Sequence, residues 1–185
     1  MLIDTLKERG LSWPLLSLLG ALLLSGLGPQ VIDMEGTLPL SLQSLLVCWI
    51  PLMIGWRAGL TAVLLYLAAG AAGLPVFAGH RAGLEVIAGP TGGYLLGFPI
   101  VAFALGLIGE AAEPRPLRQR YLLAAGAMVL GHGLILALGI PWQMFFDSEL
   151  DPGALMQRLG RPVALKSAIG MLLSVLALRS TQGRA

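Results

Sequence analysis

Gly73–Phe98 reads GLPVFAGHRAGLEVIAGPTGGYLLGF and joins two long apolar runs. Its Gly and Pro residues let the backbone approach a ligand closely and take turns with positive φ that other residues resist. Gly89-Pro90-Thr91-Gly92-Gly93-Tyr94 then runs straight into an apolar helix, which brings free backbone N–H groups and a Tyr hydroxyl to one helix mouth. The same stretch holds a His80-Arg81 pair. Joining two membrane helices requires no such irregular backbone, so the segment reads as a lid or a binding site between membrane-embedded helices.

The surrounding composition supports a membrane solvent. Of 185 residues 56% are hydrophobic and 12% charged, and the mean hydropathy is +0.82. Soluble domains carry about 25% charged residues, so this chain has too few to solvate its own surface. Lipid must cover its apolar faces. The net charge of +2 reflects bases at helix ends, not a nucleic-acid footprint. Cys48 is the single cysteine and reads as a small buried hydrophobe, with no disulfide framework. The first segment mixes acids and bases and lacks an A-x-A-like site, so it is expected to be a retained helix.

Six apolar runs follow, at about Leu11–Gly28, Ser41–Gly55, Ala58–Ala72, Tyr94–Gly109, Tyr121–Ile140 and Val163–Leu178. The second and third are separated only by Trp56-Arg57, which predicts a tight helical hairpin. With a cytoplasmic N-terminus, the inner side carries Lys7, Arg9, Arg57, Arg115, Arg118, Arg120, Arg179 and Arg184, and the outer side only Arg81, Arg158 and Arg161. That asymmetry obeys the positive-inside rule. The expected fold is an all-α membrane protein: a six-transmembrane-helix bundle, one domain over residues 1–185, with both termini cytoplasmic. The connections Pro29–Leu42, Gly73–Gly93 and Pro141–Pro162 then lie outside, and the ligand site sits at the outer face.

Catalysis is not expected. His132 is inside the fifth run with no carboxylate or second His in any run, and it reads as an inter-helix packing or hydrogen-bonding residue. No C-x-x-C, H-E-x-x-H or P-loop pattern occurs, so neither a metal, a nucleotide nor another cofactor is expected. Lys166 lies a turn inside the last run, where an ammonium is expensive unless paired or hydrated. It either snorkels to the interface or pairs with an anionic ligand group such as a carboxylate. Gln43, at the outer start of the second run, offers donor and acceptor to a urea or amide, or else faces headgroups. Tyr94 follows backbone exposed at a helix start, and Trp142 reads as an interfacial aromatic. Ala21 and Ser25 have small-xxx-small spacing, which serves internal packing or close approach of another helix.

The stretches Pro39-Leu40-Ser41-Leu42-Gln43, Leu65-Tyr66 through Gly73-Leu74-Pro75-Val76-Phe77-Ala78-Gly79, and Gly89-Pro90-Thr91-Gly92-Gly93-Tyr94-Leu95-Leu96-Gly97-Phe98 resemble the BioY family. These are the biotin-specific S components of energy-coupling factor (ECF) vitamin transporters. The resemblance runs from about Pro39 to Leu107, weakens through Gly131–Trp142 and returns near Lys166. It implies a six-helix protein of a prokaryotic cell membrane that binds biotin from outside. It also implies a transmembrane coupling subunit and two cytoplasmic ATPases as partners, with the coupling subunit meeting Ala21 and Ser25. Gln43, Phe77, Gly89, Thr91, Gly93, Tyr94 and Lys166 are the implied ligand residues. Biotin's apolar bicycle, ureido group and carboxylate suit a Gly- and aromatic-lined pocket with amide-like partners and one cation. One departure stands out: Val163 occupies the position, three before Lys166, where the family often has an acid, so either Asp147 or Asp151 substitutes from the loop, or biotin is held differently, or the ligand differs somewhat. The alternatives are another small carboxylate-bearing vitamin or precursor, or a ligand-free structural membrane protein.

Overall fold

The computed structural model describes residues 10–32 and 40–182. The charges at positions 1–9 and 183–185, and positions 33–39 of the Pro29–Leu42 connection, Pro39 included, lie outside the described residues. Six longer helices account for the six apolar runs: α1 Trp13–Leu27, α2 Leu42–Ile54, α3 Trp56–Ala71, α5 Gly92–Ala112, α6 Leu117–Phe146 and α7 Pro152–Gln182, with a short α4 at Leu84–Ala88. Two-residue strands, β1 Val31–Ile32 and β2 Leu40–Ser41, pair antiparallel between α1 and α2. They carry no hydrophobic alternation long enough to be legible beforehand.

α5, α6 and the Pro152–Arg179 stretch of α7 are long and apolar enough to cross a membrane. α1, α2 and α3 are equally apolar but have 15, 13 and 16 residues, short of the ~20 needed for an untilted span. The outward faces are apolar, with Leu15, Leu18, Leu22, Leu64, Ile100, Phe103, Leu122, Val129 and Leu172 all exposed. A water-facing bundle would place polar residues there, so these faces are built for lipid.

α2 is the central element. It touches every other long helix, and most of its side chains are buried. Its end explains the hairpin: the helix runs through Pro51 to Ile54, the Gly55 N–H donates to the Pro51 carbonyl at 2.9 Å, and Gly55 takes φ +86°. An L side chain resists that conformation, so the turn falls at Gly55, and Trp56 and Arg57 already belong to α3. Small residues set the other approaches. A Cβ on Gly59 would strike Pro51, one on Gly106 the backbone of Trp56, and one on Gly131 the Cys48 sulfur. Cys48 is therefore a packed wall of the α2–α6 contact.

The expected long loop Pro141–Pro162 is corrected. α6 continues through Pro141 to Phe146, α7 begins at Pro152, and only Asp147–Asp151 connects them. Pro141 loses one ladder bond, but the turn beyond it is tied down by Trp142 and Gln143, which hydrogen-bond to Gly89 and Tyr94. Asp151 accepts the Gly153 N–H at 2.9 Å ahead of Pro152, the N-cap and N1 pair that favours a helix start.

Candidate functional site

The Gly73–Phe98 stretch folds into a compact cover at one end of the bundle. Tyr66, on the buried face of α3, donates its hydroxyl to the Val76 carbonyl at 2.9 Å. Phe77, 1% exposed, stands edge-on to Tyr66 with ring centroids 5.7 Å apart and fills the space where Gly70 lacks a Cβ. The Phe77 N–H donates to the Arg81 carbonyl at 3.0 Å, and the Gly83 N–H to the Gly70 carbonyl at 2.8 Å. Gly79 and Gly83 have φ +70° and +91°, so the turns drawn from the sequence are real left-handed turns. Tyr66→Phe should orphan the buried Val76 carbonyl and cost about 1–3 kcal/mol. Thermal unfolding reads this directly, and an unchanged midpoint would refute the bond's importance.

Gln43 lies in the first turn of α2 and is 4% exposed, so it faces the interior and not headgroups. Its Oε1 accepts the Ala78 N–H at 3.1 Å, which fixes the amide's orientation, and its Nε2 has no partner among the described residues. The Ala78 carbonyl in turn accepts from Arg81 Nε at 3.3 Å, and Arg81 Nη2 donates to Thr91 Oγ1 at 3.3 Å. One hydrogen-bonded line thus connects Gln43, beside buried Phe77, to Thr91 at the surface. Arg81, Glu85, Gly89 and Thr91 line a cavity of about 410 Å³ there.

The second wall is the α5–α6 contact. Trp142 Nε1 donates to the Gly89 carbonyl at 2.9 Å, and a Cβ on Gly93 would strike Trp142. The Tyr94 ring packs where Gly139 has no side chain, and its hydroxyl donates to Gln143 Oε1 at 2.8 Å. Gly89, Gly93 and Tyr94 therefore gather around Trp142 and Gln143. Trp142 is a half-buried clamp as well as an aromatic near a helix end.

Lys166 is 7% exposed and donates Nζ to Ser44 Oγ at 3.0 Å, so it points inward and does not snorkel. Ser44 is the next residue after Gln43 on α2, so the two polar candidates sit at the same level of the bundle. His132, 2% exposed, lies with Nδ1 2.8 Å from the Met128 carbonyl and 3.3 Å from Ser167 Oγ. Its Nε2 has no partner among the described residues. Val163, a turn before Lys166, is half-buried. Asp147 and Asp151 are exposed and accept the N–H groups of Glu149 and Gly153, so their carboxylates serve the turn before α7.

Ala21 and Ser25 stand apart on α1. Ala21 is 7% exposed, and its neighbour Gly20 packs against Ala62 of α3, whereas Ser25 is half-buried. Ser44, Ser167, Gln143 and the free His132 nitrogen escaped the sequence reading. Helix crossings bring Ser44 to Lys166, His132 to Ser167 and Gln143 to Tyr94, and no local pattern marks them.

The family model described as the BioY family matches residues 7–184. A biotin transporter BioY from Thermotoga maritima is 43% identical over 105 residues, covering 57% of this chain and 59% of the relative. BioY2 of Lactococcus lactis is 35% identical over 130 residues, 69% of this chain and 67% of the relative. A biotin transporter BioY from Rhodobacter capsulatus is 44% identical over 104 residues, 55% of this chain and 53% of the relative. The matched stretch thus spans between half and two thirds of these relatives' length. A solved structure, the S-component for biotin from an ECF-type ABC transporter, superposes with TM-score 0.73 over 96% of this chain and 94% of its own, at 20% identity. At that identity the likeness concerns the fold.

Proposed function

The chain belongs to the BioY family, and from that premise we propose that it captures biotin at the outer face of a prokaryotic cell membrane for import. The observation that carries this reading is the buried Gln43–Ser44–Lys166 group beneath the Gly-rich cover. It holds an amide donor with no partner among the described residues and an ammonium whose hydrogen-bond partner is a Ser hydroxyl. Buried polar groups are normally satisfied, and a buried charge normally finds a counter-group. A polar ligand supplies both. Phe77, Gly89, Thr91, Gly93 and Tyr94 form the cover and wall around it, and they hold the access route in shape.

The topology that goes with this reading has six spans, both termini cytoplasmic, and the site outside. It is supported by the excess of bases at the opposite end, around Arg57 and Arg115–Arg120. The short helices α1 to α3 then cross with their flanking residues or where the bilayer thins. A transmembrane coupling subunit and two ATPases supply the energy, and this chain itself uses neither ATP nor a cofactor. Because Ala21 is covered by the chain's own helices, Ser25 with exposed Leu18 and Leu22 on the same face of α1 would carry most of the docking.

Isothermal titration of the purified protein tests the reading. Saturable biotin binding at micromolar concentration or below is expected, and its absence sinks the proposal. Val163 is the feature favouring a second reading, a related carboxylate-bearing ligand. Dethiobiotin or lipoate binding in place of biotin would establish that one.

A further inference from the structure

We propose that His132 Nε2 is a hydrogen-bond acceptor for a ligand N–H, so that a cyclic urea enters the Gln43–Lys166–His132 group ring end first. The inference rests on the biotin reading above and assigns His132 a binding role. The Met128 carbonyl, 2.8 Å from Nδ1, can only accept, so Nδ1 must carry the proton. Ser167 Oγ, at 3.3 Å, is a second acceptor for the same N–H. In a neutral imidazole the lone pair is then on Nε2, and that atom is buried with no hydrogen-bond partner among the described residues. None of α2, α6 and α7 contains an Asp or Glu, so no carboxylate on these helices would hold an imidazolium.

Gln43, Lys166 and His132 stand on three mutually packed helices, α2, α7 and α6, and the proposed ligand bridges their left-over polar atoms. Gln43 Nε2 offers donors, the Lys166 ammonium offers further donors beyond the one given to Ser44, and His132 Nε2 offers a lone pair. A carboxylate has only acceptors and would meet that lone pair with its own. A cyclic urea presents one carbonyl oxygen flanked by N–H groups, which matches two donors and one acceptor. Its oxygen goes to Gln43 and Lys166 and one ring N–H goes to His132. The acid chain then points away from this group.

Nitrogen NMR of the protein labelled at histidine, with biotin titrated in, reads the contact directly. The chain has two histidines, and His80→Asn, at an exposed position with φ +59° that Asn tolerates, assigns the His132 signals. Nε2 should be unprotonated without biotin, and on binding should shift as an acceptor while Nδ1 stays protonated. Two carbamate analogues, each with one ring N–H replaced by oxygen, provide the second arm. One of them should bind wild type about tenfold to a hundredfold more weakly than biotin and lose little more in His132→Phe. Nε2 becoming protonated when biotin binds would mean that the carboxylate enters instead, and would overturn the proposal. So would biotin saturating the protein with Nε2 unmoved. A sample that shows no saturable biotin binding by calorimetry fails the parent reading instead.

Discussion

Lys166→Met should weaken biotin binding by about 1.5–3 kcal/mol, the range for hydrogen bonds to a charged group, while leaving the ligand-free protein at least as stable as wild type. The substitution keeps the stem's volume and removes an ammonium that is buried against a Ser hydroxyl. Solvating that charge inside the bundle costs stability, and an apolar replacement of similar size relieves the cost. Affinity and stability should therefore move in opposite directions, which a general folding defect cannot imitate. Biotin amide, lacking the carboxylate charge, distinguishes the two uses of the lysine. If Lys166 meets the ureido oxygen, wild type binds biotin and its amide alike, and Lys166→Met weakens both equally. If it pairs with the carboxylate, as the sequence alone suggests, the loss for biotin rises to about 2–5 kcal/mol, and the amide, already weak, loses little more. Calorimetry with both ligands decides, and a melting point lowered in step with affinity would overturn the account of a strained buried cation.

Gly93→Ala is expected to destabilise the protein by about 1–3 kcal/mol, the usual cost of overpacking. The added methyl would overlap the Trp142 side chain and lie 2.8 Å from the Leu138 carbonyl oxygen. That oxygen belongs to the α6 backbone, so no rotamer change makes room and α5 must move away from α6. The separation would also stretch the Trp142–Gly89 bond, and biotin should then raise the melting temperature less than it does in wild type. Gly126→Ala is the control. Nothing lies within 4 Å of a Cβ there, and Ala is the better helix former by ~1 kcal/mol, so the melting point should hold or rise. Equal behaviour of the two variants would mean that the α5–α6 contact does not depend on Gly93.

Much of the architecture was legible because helix-forming apolar runs and their breakers are local. The runs from Leu11–Gly28 to Val163–Leu178 each reappear as a helix, and the short break between the second and third foretells the hairpin of α2 and α3, although its turn falls at Gly55 and not at Trp56-Arg57. The left-handed turns at Gly79 and Gly83 also lay in the sequence, since few other residues adopt them. The loop expected over Pro141–Pro162 failed for the opposite reason. Proline predicts a break from local propensity, and bonds from Trp142 and Gln143 to residues some fifty positions earlier outweigh it.

The residue types of the site were equally local: Gln43 near a helix start, Lys166 where an ammonium is costly, Gly and Tyr at a helix mouth. Whether Lys166 snorkels or turns inward is decided by Ser44, 122 positions away. Which end of Gln43 is free is decided by the Ala78 N–H, and which nitrogen of His132 is free by Met128 together with what packs over the ring. Sequence determined that this chain is a bundle of lipid-facing helices with a Gly-rich cover at one end. Tertiary structure alone decided which polar atoms beneath that cover remain unpaired, because satisfaction of a buried donor or acceptor depends on what crosses it in space.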